Sequence, residues 1–148
     1  MKKYSLIAVF LLGMVFSLQA QTQEKEIEKV ISNLFDGMKT KNPELVEVAF
    51  HPQASMQTVI KGENGATLGS NSVRDFINRI ATTPADTQLD ERILGYDIKI
   101  DGDMASAWTP YEFYVNGAFS HHGVNSFQLI RTAEGWKITY VIDTRHRK

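Results

Sequence analysis

Two polar pairs in the C-terminal third of the chain have the residue types for chemistry. Glu112 and His121 are a carboxylate and an imidazole. A nearby carboxylate tunes a histidine close to neutral pH and lets it move a proton. Asn125 and Asp143 can donate to and accept from a polar group on a ligand. Arg145 can grip a ligand carboxylate or pair with Asp143. Trp108 and Phe127 are suited to a pocket wall or to a core. Each has a structural alternative. Glu112 with His121 can be a cross-strand polar pair, Asn125 with Asp143 can fix strand register, and His51 suits a helix end.

The elements that must position these residues are four β-rich runs: ILGYDIKI, WTPYEFYV, FSHHGVNSFQLI and WKITYVI. Asp101-Gly102, Asn116-Gly117 and Glu134-Gly135 separate them. Asp-Gly and Asn-Gly favour positive φ at both central positions of a type I′ hairpin. Two-residue turns at the first two set Ile98 opposite Ala105, Glu112 opposite His121 and Trp108 opposite Asn125. A three-residue loop at the third sets Asn125 opposite Asp143 and Phe127 opposite Val141.

Side chains alternate between faces. One face then carries Tyr96, Ile98, Tyr111, Phe113 and Ile138. The other carries Trp108, Phe127, Leu129 and Val141 with the polar row Glu112, His121, Asn125, Asp143 and Arg145. Both faces are largely apolar, so both need cover. Helices supply one cover. The expectation for the other is a symmetric homodimer through the Tyr96–Phe113–Ile138 face, because large apolar patches mark interfaces.

Before this meander, Ile27, Val30, Ile31, Leu34, Phe35 and Met38 recur at helical spacing and predict a helix over 22–41. Asn42 caps a second helix with Pro43 at its first position. Its buried side is expected to be Leu45, Val48 and Ala49, and its end lies near His51-Pro52. Ala54 to Ile60 reads as a strand turned by Gly62–Gly65. Ser72 with Asp75 reads as a capping box for a third helix bearing Val73, Phe76, Ile77 and Ile80. Thr82 to Asp90 reads as a polar connection. The sum is α+β: a curved antiparallel sheet wrapped around N-terminal helices.

Residues 1–20 read as an export signal, with Lys2 and Lys3 before an apolar stretch from Leu6 to Phe16 and a small Ala20 at the cut. Eleven apolar residues fall short of the roughly 20 of a membrane span. The expected location is therefore periplasmic or secreted, with no stable membrane anchor and residues 21–148 as one domain. The net charge of −1 and the lack of a basic run before Arg145–Lys148 argue against nucleic acid. The absence of cysteine excludes thiol catalysis and disulfides. His121 and His122 are adjacent on a strand and point apart, so neither a metal nor a cofactor is expected.

The order of elements resembles the nuclear transport factor 2-like superfamily, the conical fold of ketosteroid isomerases, scytalone dehydratases and polyketide cyclases. The runs WTPYEFYVNGAFSHHGVNSFQL and GWKITYVIDTR resemble its secreted bacterial branch labelled "putative lumazine-binding". The resemblance implies a pocket between the helices and the concave sheet face, and dimerisation through the sheet. In ketosteroid isomerases a carboxylate on the long strand helps bind the enolate oxygen; Asn125 falls at that place, followed by Phe127. Their base, on the first strand, is matched here by Gln57 and Thr58, neither of which is a base. His121 stands where scytalone-dehydratase-like enzymes use histidine. The leading expectation is an exported domain that binds a small apolar or aromatic molecule. The alternatives are a cofactor-free lyase or isomerase using His121 as acid/base, and an interaction module.

Overall fold

The computed structural model describes residues 2–147, with side chains from residue 20. The side chains of the expected export signal lie, up to residue 19, outside the described residues. The first helix, α1 (Lys2–Thr40), runs longer than the 22–41 stripe predicts. No helix among the described residues is long and apolar enough to cross a membrane. Ile27, Ile31, Leu34 and Met38 recur every three or four positions and are at most 4% exposed. Lys41 takes a left-handed φ of 56°. Asn42 then caps α2 (Pro43–Glu47), its side chain accepting from the Leu45 N–H. The two helices touch so closely that a Cβ on Gly37 would lie 2.8 Å from Val46 Cγ2.

The second helix is shorter than expected and is turned differently. It buries Val46; just past its end Ala49 is also buried, while Val48 is 55% exposed. It ends at Glu47, and His51-Pro52 opens β1 (Phe50–Gly62) instead. Proline is tolerated there because the ladder to the last strand shifts between Phe50 and Ser55, so its missing N–H breaks no regular pair. β2 (Gly65–Asn71) closes the expected hairpin. Ser72 accepts from the Asp75 N–H and starts α3 (Val73–Ala81), which buries Ile80.

The expected polar connection hides a strand. β3 (Leu89–Ile93) pairs antiparallel with β5 (Met104–Val115), and so does β4 (Asp97–Asp101). The run ILGYDIKI is therefore two short strands broken at Leu94–Tyr96. At the break the Leu94 N–H reaches the Pro110 carbonyl, 2.8 Å away. β6 (Ala118–Thr132) and β7 (Gly135–Thr144) complete an open curved sheet in the order β2-β1-β7-β6-β5-β3, with β4 also on β5. β1 and β7, the first and last strands, run parallel.

Register decides what faces the helices. At the first turn the loop residues are Gly102 and Asp103, with only Gly102 at positive φ, not Asp101-Gly102. Ile98 consequently lies opposite Ala107, a slip of two that leaves the faces unchanged. Asn116-Gly117 forms the expected turn, with φ of 51° and 78°. A bulge beyond it, where Tyr114 pairs Phe119 but Phe113 pairs His121, moves β6 by one residue. Glu112 therefore pairs His122 and not His121, and Asn125 pairs Thr109 and not Trp108. The third hairpin has a two-residue turn, Ala133-Glu134, and a second bulge between Gln128 and Leu129. That bulge restores the expected pairs Asn125 with Asp143 and Phe127 with Val141.

The helix-facing side is thus a mixture of the two expected faces. Tyr111 (2% exposed) and Ile138 (0%) share it with Phe127, Leu129 and Val141. Tyr96, Ile98 and Phe113 pack against the same core. The face assigned to a homodimer is therefore covered within one chain, and the reason for placing a second subunit on it falls.

Candidate functional site

Between the concave sheet face and helices α1 and α3 lies a cavity of about 480 Å³, within the ordinary range for small-molecule sites. Its wall is apolar: Leu34, Phe35 and Met38 from α1, Phe76 and Ile80 from α3. The Phe35 and Phe127 rings meet edge to face, 6.3 Å apart. Its floor, from β1, β3, β5, β6 and β7, sets a group of polar side chains among apolar ones such as Met56, Phe113 and Val141.

The floor divides into two hydrogen-bonded groups and a histidine. In the first, Asn125 Nδ2 donates to Glu91 Oε1 across 2.7 Å. Asn125 is 6% exposed. Burial pushes the Glu91 carboxyl up to about 7; the charge of Asp143 adds to this, while the Asn125 hydrogen bond and Arg145 oppose it. In the second group Asp143 is the hub. It accepts from Thr58 Oγ1 at 2.5 Å, from Arg145 Nε at 2.7 Å and, more weakly, from Tyr111 Oη at 3.4 Å. Tyr111 Oη also donates to the Thr144 carbonyl at 2.9 Å. Desolvation, then the charges of Glu91 and Asp143, raise the Tyr111 phenol well above its usual range, so it stays protonated.

His121 stacks on Phe113 with ring centres 4.9 Å apart. Its Nδ1 lies 3.0 Å from Ser120 Oγ. Desolvation, and then the Arg145 cation, push its pKa down, so the ring is neutral at pH 7.

Gly123 makes this crowded floor possible. A Cβ there would overlap the Thr144 carbonyl oxygen and lie 2.8 Å from the carbonyl carbon. Only glycine lets β6 pass so close beneath the end of β7, where Asp143 and Arg145 sit.

Comparison with known proteins fits this architecture. A family profile described as "putative lumazine-binding" matches residues 22–140. The chain belongs to this "putative lumazine-binding" family. No protein of curated function matches it. Solved structures place the family member in the nuclear transport factor 2-like fold. An NTF2-like protein with a cystatin-like fold from Novosphingobium aromaticivorans is 16% identical, with a TM-score of 0.70, covering 91% of this chain and 89% of its own. An NTF2-like superfamily protein from Salmonella enterica is 19% identical, with a TM-score of 0.66 and coverages of 87% and 94%. A protein described as a "putative dehydratase" from Streptomyces avermitilis is 14% identical, with a TM-score of 0.67 and coverages of 87% and 99%. At these identities the likeness concerns the fold.

In this member of the "putative lumazine-binding" family, His121, Asn125, Phe127, Asp143 and Arg145 all line the cavity. Glu112 and Trp108 do not. The bulge before His121 puts them on the opposite, convex face, where Trp108 is 54% exposed and Glu112 accepts from Tyr114 Oη at 2.8 Å. Glu112 and His121 are therefore no proton-transfer pair. Arg145 pairs with Asp143, its structural alternative. His51 Nδ1 accepts from the Gln53 N–H at a strand start. Among the described residues no cluster of three or more metal-ligating side chains forms. Glu91, Tyr111 and Thr58 were missed as site residues. One signal pointed to Glu91: Leu89, Glu91 and Ile93 alternate, placing a carboxylate on the same side as two apolar neighbours.

Proposed function

We propose that this chain is an exported domain that binds one small, flat, largely apolar molecule in the cavity between α1, α3 and the concave sheet. Its membership of the "putative lumazine-binding" family supports small-molecule binding in general. The observation that carries the reading is the contrast of wall and floor. An apolar wall is closed by a floor whose polar groups are held in fixed orientations by one another, as in the Asn125–Glu91 and Thr58–Asp143–Arg145 bonds. Such a site gains affinity from burial and specificity from a few placed donors and acceptors. Lumazine itself, a flat ring system with amide edges, has the chemistry for that floor.

Export rests on the basic and apolar pattern of residues 2–20, and assembly as a homodimer is part of the same reading. The convex face bearing Trp108 is the surface left for a second copy.

The test is direct. The protein purified from periplasm is expected to carry a bound small molecule in native mass spectrometry, and lumazine fluorescence is expected to respond saturably to the protein. Asn125→Leu is expected to weaken that response at least tenfold while the fold persists. An empty protein that leaves lumazine fluorescence unchanged would overturn the binding reading.

A second reading has its own observation. A carboxyl with a pKa of about 7 is matched to proton transfer at neutral pH. In a lyase or isomerase built on this floor, Glu91 takes the acid/base role, with Asn125 orienting it and His121 neutral beside Phe113. Solvent deuterium appearing at a carbon of the bound molecule, and failing to appear with Glu91→Gln, supports catalysis.

A further inference from the structure

The mouth of the cavity carries a cation that the binding reading does not use. Arg79, on the last turns of α3, lines the cavity beside Phe76, with its guanidinium 5.9 Å from the centre of the Phe76 ring. Two arginines line the cavity. Arg145 is neutralised by Asp143 at 2.7 Å. Arg79 forms no ion pair among the described residues.

Part of the hydrogen-bonding capacity at the mouth is already engaged. Thr82 Oγ1 and Thr83 Oγ1 donate back to the Asn78 and Arg79 carbonyls, at 2.8 Å each. The Pro84 and Ala85 carbonyls, two backbone acceptors of the rim loop, are both taken by Lys41 Nζ at 2.6 and 2.8 Å. That lysine adds a second positive charge beside the mouth. A cation near a helix C-terminus also favours the helix by the dipole. That role would be met by any lysine or arginine in the last turn and does not require a place on the cavity lining.

The floor offers no such free cation: Arg145 is paired with Asp143, and Glu91 beside them is a carboxyl with a pKa of about 7. A ligand anion at the floor would meet Asp143, and Glu91 whenever it is ionised, in a desolvated site where like charges repel strongly. An anion at the mouth meets an unpaired guanidinium, which binds carboxylate or sulfonate with two parallel hydrogen bonds.

We propose that Arg79 sets the ligand class: the cavity takes an apolar or aromatic molecule with one anionic group, held with the anion at Arg79 and its neutral end at Glu91 and Asn125. This deepens the binding reading and rests on it.

Two fluorescent probes of nearly one shape separate the two ideas. N-phenyl-1-naphthylamine is neutral, and 1-anilinonaphthalene-8-sulfonate is its anionic counterpart. Each is titrated into wild type, Arg79→Glu and Arg74→Glu; Arg74 lies on the same helix but not on the cavity. The expected result is that the neutral probe binds all three within about twofold. The sulfonate is expected to bind wild type and Arg74→Glu alike and Arg79→Glu at least tenfold more weakly, with the difference shrinking in high salt. Sulfonate binding that ignores Arg79→Glu, or falls equally in Arg74→Glu, overturns the assignment while neutral-probe binding keeps the cavity reading alive. Failure of both probes to bind wild type overturns both.

Discussion

Two carboxylates flank β5, and their fates differ completely. Glu112, on the strand itself, faces the convex side and accepts from Tyr114, whose ring is covered by the Arg92 guanidinium at 4.0 Å. Glu91, on the neighbouring β3, faces the cavity, accepts from a nearly buried asparagine and has its pKa lifted to about 7. Glu112 pairs Arg92 across the sheet and Glu91 pairs Phe113, so the two acids are one ladder position apart. A single step along the pleat thus exchanges a half-buried side chain on the convex face for a desolvated acid. Residue type alone does not make a site; the face does.

The largest effect on this contrast is expected from Gly123→Ala. The new methyl group would collide with the Thr144 backbone, which no side-chain rotation can relieve. The expected loss is about 3 kcal/mol or more, the upper end of overpacking costs. Urea unfolding measures it, and a loss below about 1 kcal/mol would show that the end of β7 is free to move aside.

Glu91→Gln comes next and sharpens the comparison through pH. The folded-state pKa of Glu91 lies above its unfolded value of 4.5, so the acid form is the one folding favours. Its contribution to stability is therefore full below about pH 4.5 and is lost as pH rises through about 7. Relative to wild type, the glutamine variant is expected to gain up to about 3 kcal/mol between acid and pH 8, taking 1.36 kcal/mol per pKa unit. Melting curves of both proteins at pH 4 and pH 8 read this directly. A difference that does not change with pH would mean the carboxyl is solvated in the folded protein.

The smallest effect is expected from Glu112→Ala, the convex counterpart. Glu112 is half-buried but away from the core, and loss of its hydrogen bond from Tyr114 is expected to cost about 1 kcal/mol or less. Lumazine and naphthylamine binding should be unchanged. A loss of binding would bring the convex face into the site and undo the comparison.

Much of this was legible in the sequence. The stripe Ile27–Met38, the Asn42 and Ser72 caps and the Asn116-Gly117 turn follow from local rules, and all are found; the pairing of Asn125 with Asp143 is found too, but through a two-residue turn and a bulge in place of the expected three-residue loop. What was not legible is where a strand takes an extra residue. The bulge on β6 falls within Phe119–His121, beside a Ser-His-His stretch without apolar alternation, so no periodicity betrays it. Its consequence reaches both hairpin partners and exchanges Glu112 for Phe113 opposite His121. β3 escaped for a related reason. Five residues reading Leu-Asp-Glu-Arg-Ile look like a charged linker until the alternation is weighed, and Glu91 went unseen with them.

The parallel pairing of β1 with β7 has a kinetic consequence. Thr58 and Asp143, bonded at the floor of the cavity, are 85 positions apart in the chain. A growing chain can form α1, α2, the β1–β2 hairpin and α3 early, because their contacts are local. The strand that joins them to the β3–β6 part of the sheet does not exist until residues 135–144 have emerged. Half-made chains therefore present the apolar stripe of α1 and an unpaired β1 edge for most of their synthesis. The two halves therefore join late, and β7 is the strand that closes both the sheet and the floor of the cavity.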